Sequence, residues 1–241
     1  MLLPAVDVPG ADLPVRAVLA DLTAGLAQAG AAVLVAPPGT GKTTLVPLAL
    51  ADTVPGRIIV AEPRRVAVRA AARRMASLVG GEVGGIVGYR VRGDTKVSSA
   101  TRIEVVTTGV LVRQLQRDPE LPGVDVIVVD ECHERQLDTD LALAFTVDVR
   151  ANLRDDLRVL ATSATAQADR IAAALGPGTP VVTADADTHP VELRWHPPTR
   201  PVAAPHGLRV DPKFLDHVGY TAARAVRDTI GDVLVFLPGS R

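Results

Sequence analysis

The apolar run Ala32-Val33-Leu34-Val35 passes directly into Ala36-Pro37-Pro38-Gly39-Thr40-Gly41-Lys42-Thr43-Thr44 and then into a helical pattern. A buried strand, a glycine-rich loop and a helix start, in that order, form a phosphate-binding loop and leave few folds open beyond an α/β sheet. Backbone N–H groups of such a loop turn inward around the phosphates of a nucleotide, and the helix N-terminus adds a partial positive charge. Gly39 and Gly41 permit the close approach that a β-carbon would hinder. Lys42 is expected to reach the β- and γ-phosphates and the Thr43 hydroxyl to ligate Mg²⁺, with Pro38, Thr40 and Thr44 completing the cradle. The first position of the usual pattern is Ala36 rather than Gly, a mild change where the loop base closes against the strand.

The rest of the chain agrees with a mostly parallel sheet. Short Val/Ile-rich runs alternate with longer helical patterns. Strands are expected over 32–36, 57–61, 86–91, 103–107, 125–130, 159–162 and 180–182, and helices over 15–28, 42–51, 64–79, 109–116, 139–152 and 166–175. Several strands are nearly unbroken apolar runs, as strands covered on both faces should be. Pro47 falls inside the helix after the loop and should bend or shorten it. Aromatic residues make up only 2% of a chain that is 47% hydrophobic, so the core must be built from Val, Leu, Ile and Ala.

From about Asp185 the texture changes. Prolines and little periodicity over 185–212 read as a connector with one strand, 191–195, in which Trp195 is a packing anchor. Phe214, Leu215, Val218, Ala222, Val226 and Ile230 then recur at helical spacing, Val233–Leu237 reads as a strand, and Pro238-Gly239 as a turn. One helix and one strand cannot bury enough surface to form a domain. The expected division is therefore an N-terminal extension (1–13), an α/β nucleotide domain (14–185), a linker (186–212) and the incomplete start of a second domain (213–241), with an exposed apolar surface at Val233–Leu237.

Charge and cysteine content exclude other classes. A net charge of −1 gives no global attraction to nucleic acid, so any such surface must be local. A single cysteine excludes an intramolecular disulfide and argues against a Cys-based metal site. No stretch approaches the roughly 18 apolar residues of a membrane span, and no signal-peptide pattern opens the chain, so a soluble, cytoplasmic protein without membrane contact is expected. His189, His196, His206 and His217 lack ligand spacing and read as structural or surface residues.

The apolar segment Val124–Val129 leads into Asp130-Glu131-Cys132-His133. Asp130 at the strand's carboxyl end is placed to hold Mg²⁺, directly or through water. Glu131 is placed to polarise an attacking water, and His133 to sense the γ-phosphate or couple it to a neighbouring segment. Cys132 is read as a small packing residue.

Together these segments resemble the DExH/DEAH-box helicases of superfamily 2, closest to the bacterial HrpB-type group. Asp130–His133 is similar to their motif II and Ala36–Thr44 to motif I. Glu62-Pro63-Arg64-Arg65 resembles motif Ia, Thr107-Thr108-Gly109 motif Ib, Ser163-Ala164-Thr165 motif III and Val235–Gly239 motif IV. The order is that of the family. The resemblance implies a RecA-like P-loop fold and ATP with Mg²⁺ as cofactors. It also implies movement along single-stranded nucleic acid, RNA before DNA, across the tops of two RecA-like domains. Only the start of the second domain is expected here, and no residue maps onto motifs V and VI, Arg241 included. The isolated chain is therefore expected to hydrolyse ATP poorly. Arg64, Arg65, Thr107, Thr108 and Gly109 are the implied nucleic-acid contacts; Arg69, Arg73 and Arg74 read as a solvated helix face. Ser163 and Thr165 are the implied coupling residues, their hydroxyls reaching His133 or Asp130. Two other readings stand beside this one. One is a non-catalytic, ATP-switched module that binds RNA or protein. The other is a transporter-type or AAA-type ATPase, against which the Ser-Ala-Thr segment argues.

Overall fold

A computed structural model describes residues 1–5, 7–165, 168–186, 191–203 and 210–237. It contains two compact units, Met1–Asp187 and Thr188–Arg241.

The first unit is an eight-stranded sheet with helices on both faces. Its strands are β1 (Ala31–Val35), β2 (Arg57–Glu62), β3 (Val87–Val91), β4 (Asp94–Lys96), β5 (Ile103–Thr107), β6 (Val124–Val129), β7 (Arg158–Ser163) and β8 (Val181–Thr183). They lie in the order β4-β3-β5-β2-β6-β7-β1-β8. Every pairing is parallel except β3 with β4, a short hairpin at one edge that the periodicity of the sequence did not reveal. The helices are α1 (Leu19–Ala29), α2 (Lys42–Ala51), α3 (Arg65–Leu78), α4 (Thr108–Arg117), α5 (Leu137–Asn152) and α6 (Ala168–Leu175). This is the α/β, RecA-like arrangement expected from the alternation of strand and helix patterns. Ala166, at the start of the last predicted helix, lies outside the described residues.

The sheet divides the core in two because successive strand side chains point to opposite faces. Ile58, Val60, Val126 and Val128 pack with Leu22, Leu45, Val68 and Met75 beneath α1, α2 and α3. Ile59, Ala61, Ile127 and Val129 pack with Leu111, Leu115, Ala142 and Val149 beneath α4, α5 and α6. Unbroken Val/Ile runs are the direct consequence, since neither face of a central strand meets water.

The helix expected from Val15 begins as a 3-10 turn, Pro14–Val18, before α1. The helix expected over 42–51 is found with those bounds; Pro47 lies inside it and does not shorten it, although the N–H that would reach the carbonyl of Thr43 is missing.

Among its described residues the second unit contains one helix, α7 (Pro212–Asp228), capped by Asp211, whose carboxylate accepts from the Lys213 N–H at 2.9 Å. Its described residues contain no strand, so 191–195 and Val233–Leu237 do not form the strands expected of them. A strand needs a hydrogen-bonding neighbour, and this unit offers none among its described residues. Trp195, expected to anchor packing, is 89% exposed. His196 and His217 meet through the His196 carbonyl and His217 Nε2 at 2.6 Å. His189, His206, Pro238, Gly239 and Arg241 lie outside the described residues.

Candidate functional site

Strands β1 and β6 carry the glycine loop and the acidic segment, and β7 lies between them. Parallel pairing brings all three carboxyl ends to one side, so segments far apart in sequence meet there. Ala36 is fully buried and its N–H donates to the Ser163 carbonyl at 2.9 Å, tying the loop base to β7. Gly41, with φ +92°, forms the turn into α2; a Cβ there would lie 2.8 Å from Leu13 Cδ1. The Thr40 hydroxyl donates to the Pro37 carbonyl at 2.7 Å and braces the loop. Pro38, Gly39, Gly41, Lys42, Thr43 and Thr44 line an open cavity of about 310 Å³, joined by Leu13 and Glu131.

The loop and the acidic segment interlock. Thr43 Oγ1 donates to Asp130 Oδ2 at 2.6 Å. Lys42 Nζ lies 2.9 Å from Glu131 Oε1, and the lysine side chain is only 6% exposed. Glu131 has φ +56°, a left-handed conformation rare for a residue with a side chain. That turn lets adjacent carboxylates act on different partners. Asp130 points to Thr43, and Glu131 to Lys42.

Asp130 is fully buried. Burial opposes its ionisation, but hydrogen bonds from Glu62, Thr162 and Thr43, with the charge of Lys42, hold it below the usual carboxylate range. Glu62, the last residue of β2 and 3% exposed, takes the opposite course. Burial, reinforced by Asp130 and Glu131 against the pull of Lys42, pushes it up to about 10. The two carboxyls are driven in opposite directions, and the Glu62–Asp130 pair retains a proton at neutral pH. Cys132 is buried, which pushes its thiol up to about 12 and leaves it a neutral packing group, as its sequence context suggested.

His133 joins the acidic segment to β7. Its Nδ1 lies 3.3 Å from Glu131 Oε2 and 3.2 Å from the Ala164 N–H, which donates to it. The hydroxyls of Ser163 and Thr165, expected to make this link, do not reach His133 or Asp130. Ser163 Oγ donates to the Thr165 carbonyl at 3.1 Å and accepts from the Thr165 N–H at 3.2 Å, closing its own turn. The link runs instead through Thr162 and the Ala164 backbone. Thr162 receives no role from the sequence, and Glu62 only a place in the segment resembling motif Ia; each lies at or next to the end of an apolar strand beside Asp130, and that position is the available signal.

The nucleic-acid residues separate into two places. Arg65, Thr107, Thr108 and Gly109 line a cavity of about 210 Å³ together with Arg92 and Arg113, which the sequence did not single out. Arg65 Nη2 donates to the Arg92 carbonyl at 2.8 Å. Gly109 packs against Asp138: a Cβ there would lie 2.8 Å from Asp138 Oδ2 and would displace that carboxylate. Thr107 flanks α4 without a side-chain cap, and Thr108 is buried. Arg64 turns away to pair with Glu134 on the rim of a separate cavity of about 380 Å³. That cavity also has Thr43, Thr44, Glu62 and Arg74 in its wall. Arg69 is held by Asp94 at 2.8 Å, so the basic stripe on α3 is partly neutralised.

Residues 18–173 match the DEAD/DEAH box helicase family model. The chain belongs to the DEAD/DEAH-box helicase family. It is 45% identical over 229 residues to the ATP-dependent RNA helicase HrpB of Escherichia coli, covering 94% of this chain and 27% of that protein. It is 33% identical over 208 residues to the ATP-dependent RNA helicase HrpA of Borreliella burgdorferi, covering 85% of this chain and 24% of that one. The crystal structure of the E. coli DEAH/RHA helicase HrpB superposes with a TM-score of 0.80 over 95% of this chain and 28% of that chain. The chain thus spans about a quarter of the length of these relatives.

Proposed function

We infer that this chain carries the first nucleotide-binding half of an ATP-dependent RNA helicase motor. The observation that carries the reading is the junction of loop and acidic segment. Thr43 is bonded to Asp130, and Lys42 is paired with Glu131, beside an open cavity lined by the glycine loop. Lys42 and the loop N–H groups would hold the phosphates. Thr43 and Asp130 fit Mg²⁺. Both offer hard oxygen donors, and the Thr43 hydroxyl gives its proton to Asp130 while keeping oxygen lone pairs for a cation. Among the described residues no cluster of three or more His, Cys, Asp or Glu side chains forms a metal cage. A cation here would draw its other ligands from phosphate and water, as Mg²⁺ commonly does. Once a γ-phosphate occupies Lys42, Glu131 is released to orient and deprotonate the attacking water.

Arg65, Arg92, Arg113 and the Thr107–Gly109 turn supply a local cationic surface for the phosphates of single-stranded RNA on a chain of nearly neutral net charge. Motion would follow from closure against a second RecA-like domain. A cytoplasmic location accords with a single buried cysteine. Among the described residues no helix is long and apolar enough to cross a membrane.

The test is ATP hydrolysis by this chain, with and without single-stranded RNA, beside Glu131→Gln and Lys42→Ala. The expected outcome is Mg-ATP binding that requires Lys42, with slow turnover lost in Glu131→Gln. Binding that persists unchanged in Lys42→Ala would overturn the reading. Binding with no turnover under any condition would favour the ATP-switched binding module.

A further inference from the structure

Resting on the Mg-ATP reading above, we propose that Thr162 is a positioning residue that fixes the plane of the Asp130 carboxylate and so holds one of its oxygens toward the cation. Thr162 is the last threonine before the Ser-Ala-Thr segment, fully buried at the end of an apolar strand where an aliphatic side chain would be the simpler choice. The β6–β7 register pairs Val129 with Ala161, so Asp130 and Thr162 follow side by side. The Thr162 hydroxyl donates to Asp130 Oδ1. The same oxygen accepts the Glu131 N–H at 2.9 Å. Oδ1 is thereby held by a side chain of β7 and a backbone amide of the acidic turn. Oδ2 is directed at Thr43, 2.6 Å away, on the side where phosphates would lie. A half-turn of the carboxylate about its Cβ–Cγ axis would exchange equivalent oxygens and change nothing, but without the Thr162 bond intermediate angles become accessible, and these carry the outer oxygen off the Thr43 side. With it, the plane is held so that one oxygen faces Thr43 and the cation.

Outer-sphere hydrogen bonds of this kind typically contribute 10- to 100-fold to metal affinity. Thr162 also lies two residues before Ala164, whose N–H meets His133. One strand end therefore orients the cation ligand and touches the residue next to the general base.

The experiment measures binding of a fluorescent, non-hydrolysable ATP analogue to the parent chain, Thr162→Val, Thr162→Ala and Thr162→Ser. Each is measured first in EDTA and then across a Mg²⁺ titration. In EDTA the variants are expected to bind within about twofold of the parent, because Lys42 and the loop are untouched. The Mg²⁺ midpoint is expected to rise about tenfold in the valine and alanine variants and to return in the serine variant. An unchanged midpoint in variants that keep their EDTA affinity would overturn the proposal and leave the Mg-ATP reading standing. Loss of EDTA binding in both valine and alanine variants would also overturn it, since the hydroxyl would then hold the fold rather than the cation. Absence of any Mg²⁺-dependent binding in the parent would overturn the underlying reading as well.

Discussion

Asp130 and Glu62 show how much of the chemistry is set by neighbours rather than by residue type. Two carboxyl groups end adjacent strands, and burial permits only one of them to ionise. Glu62 keeps its proton in the folded chain up to about pH 10, whereas in the unfolded chain it loses it near 4.5. Between those values the folded state binds the extra proton. Glu62 therefore favours folding at acid pH, and this contribution is lost as pH rises toward 10, at up to about 1.4 kcal/mol per pH unit. Glu62→Gln keeps a hydrogen-bond donor for Asp130 and abolishes the titration. Thermal melts in metal-free buffer from pH 6 to 9 should show the variant gaining on the parent at each step; parallel curves would refute the shared-proton pair.

At the scale of elements, the connections at the opposite ends of the strands are held by single arginines that satisfy clusters of backbone carbonyls. Arg102 donates to the carbonyls of Ala51, Val54 and Gly56, at 3.1, 2.7 and 3.2 Å. The first of these belongs to the last residue of α2, where carbonyls lack partners within the helix and a cation is favoured by the helix dipole. Arg102 thus fixes the path from α2 into β2. Arg102→Met preserves most of the aliphatic stem and strands these acceptors. Urea unfolding should report a loss of about 2–3 kcal/mol, without change in the Lys42-dependent nucleotide affinity. Arg154, in the turn after α5, does similar work for the connection from α4 into β6, bonding the Glu120 and Val124 carbonyls.

Across the whole molecule, the two units differ in what they bury. The first has an apolar layer on each face of its sheet. In the second, α7 has no buried residue, and Leu193, Trp195, Leu234 and Phe236 are all about 80–90% exposed. Apolar surface of that extent favours association. The 241-residue chain is expected to self-associate at micromolar concentration and to bind a hydrophobic dye. Removal of residues 188–241 should abolish both while leaving the thermal midpoint of the first unit within a few degrees. Light scattering and differential scanning fluorimetry would show this. A monodisperse full chain that binds no dye would count against it.

The sequence determined the class of fold, the position of the phosphate loop and the identity of the acidic strand. Those features are local. A buried parallel strand must be apolar throughout, and a phosphate loop must place Gly, Lys and Thr at fixed steps between strand and helix. What only the tertiary structure decided are the relations across the sheet. Strand order brought β7 and β2 to either side of the Asp130 strand, and the β6–β7 register placed Thr162 rather than Ser163 or Thr165 against Asp130, with Glu62 on the other side. It also separated Arg64 from Arg65, because consecutive residues at a helix start point in different directions, and it gathered Arg92 and Arg113 around Arg65. Val233–Leu237 carries a strand's pattern yet forms none, because β-structure is completed by a neighbour and periodicity alone does not supply one.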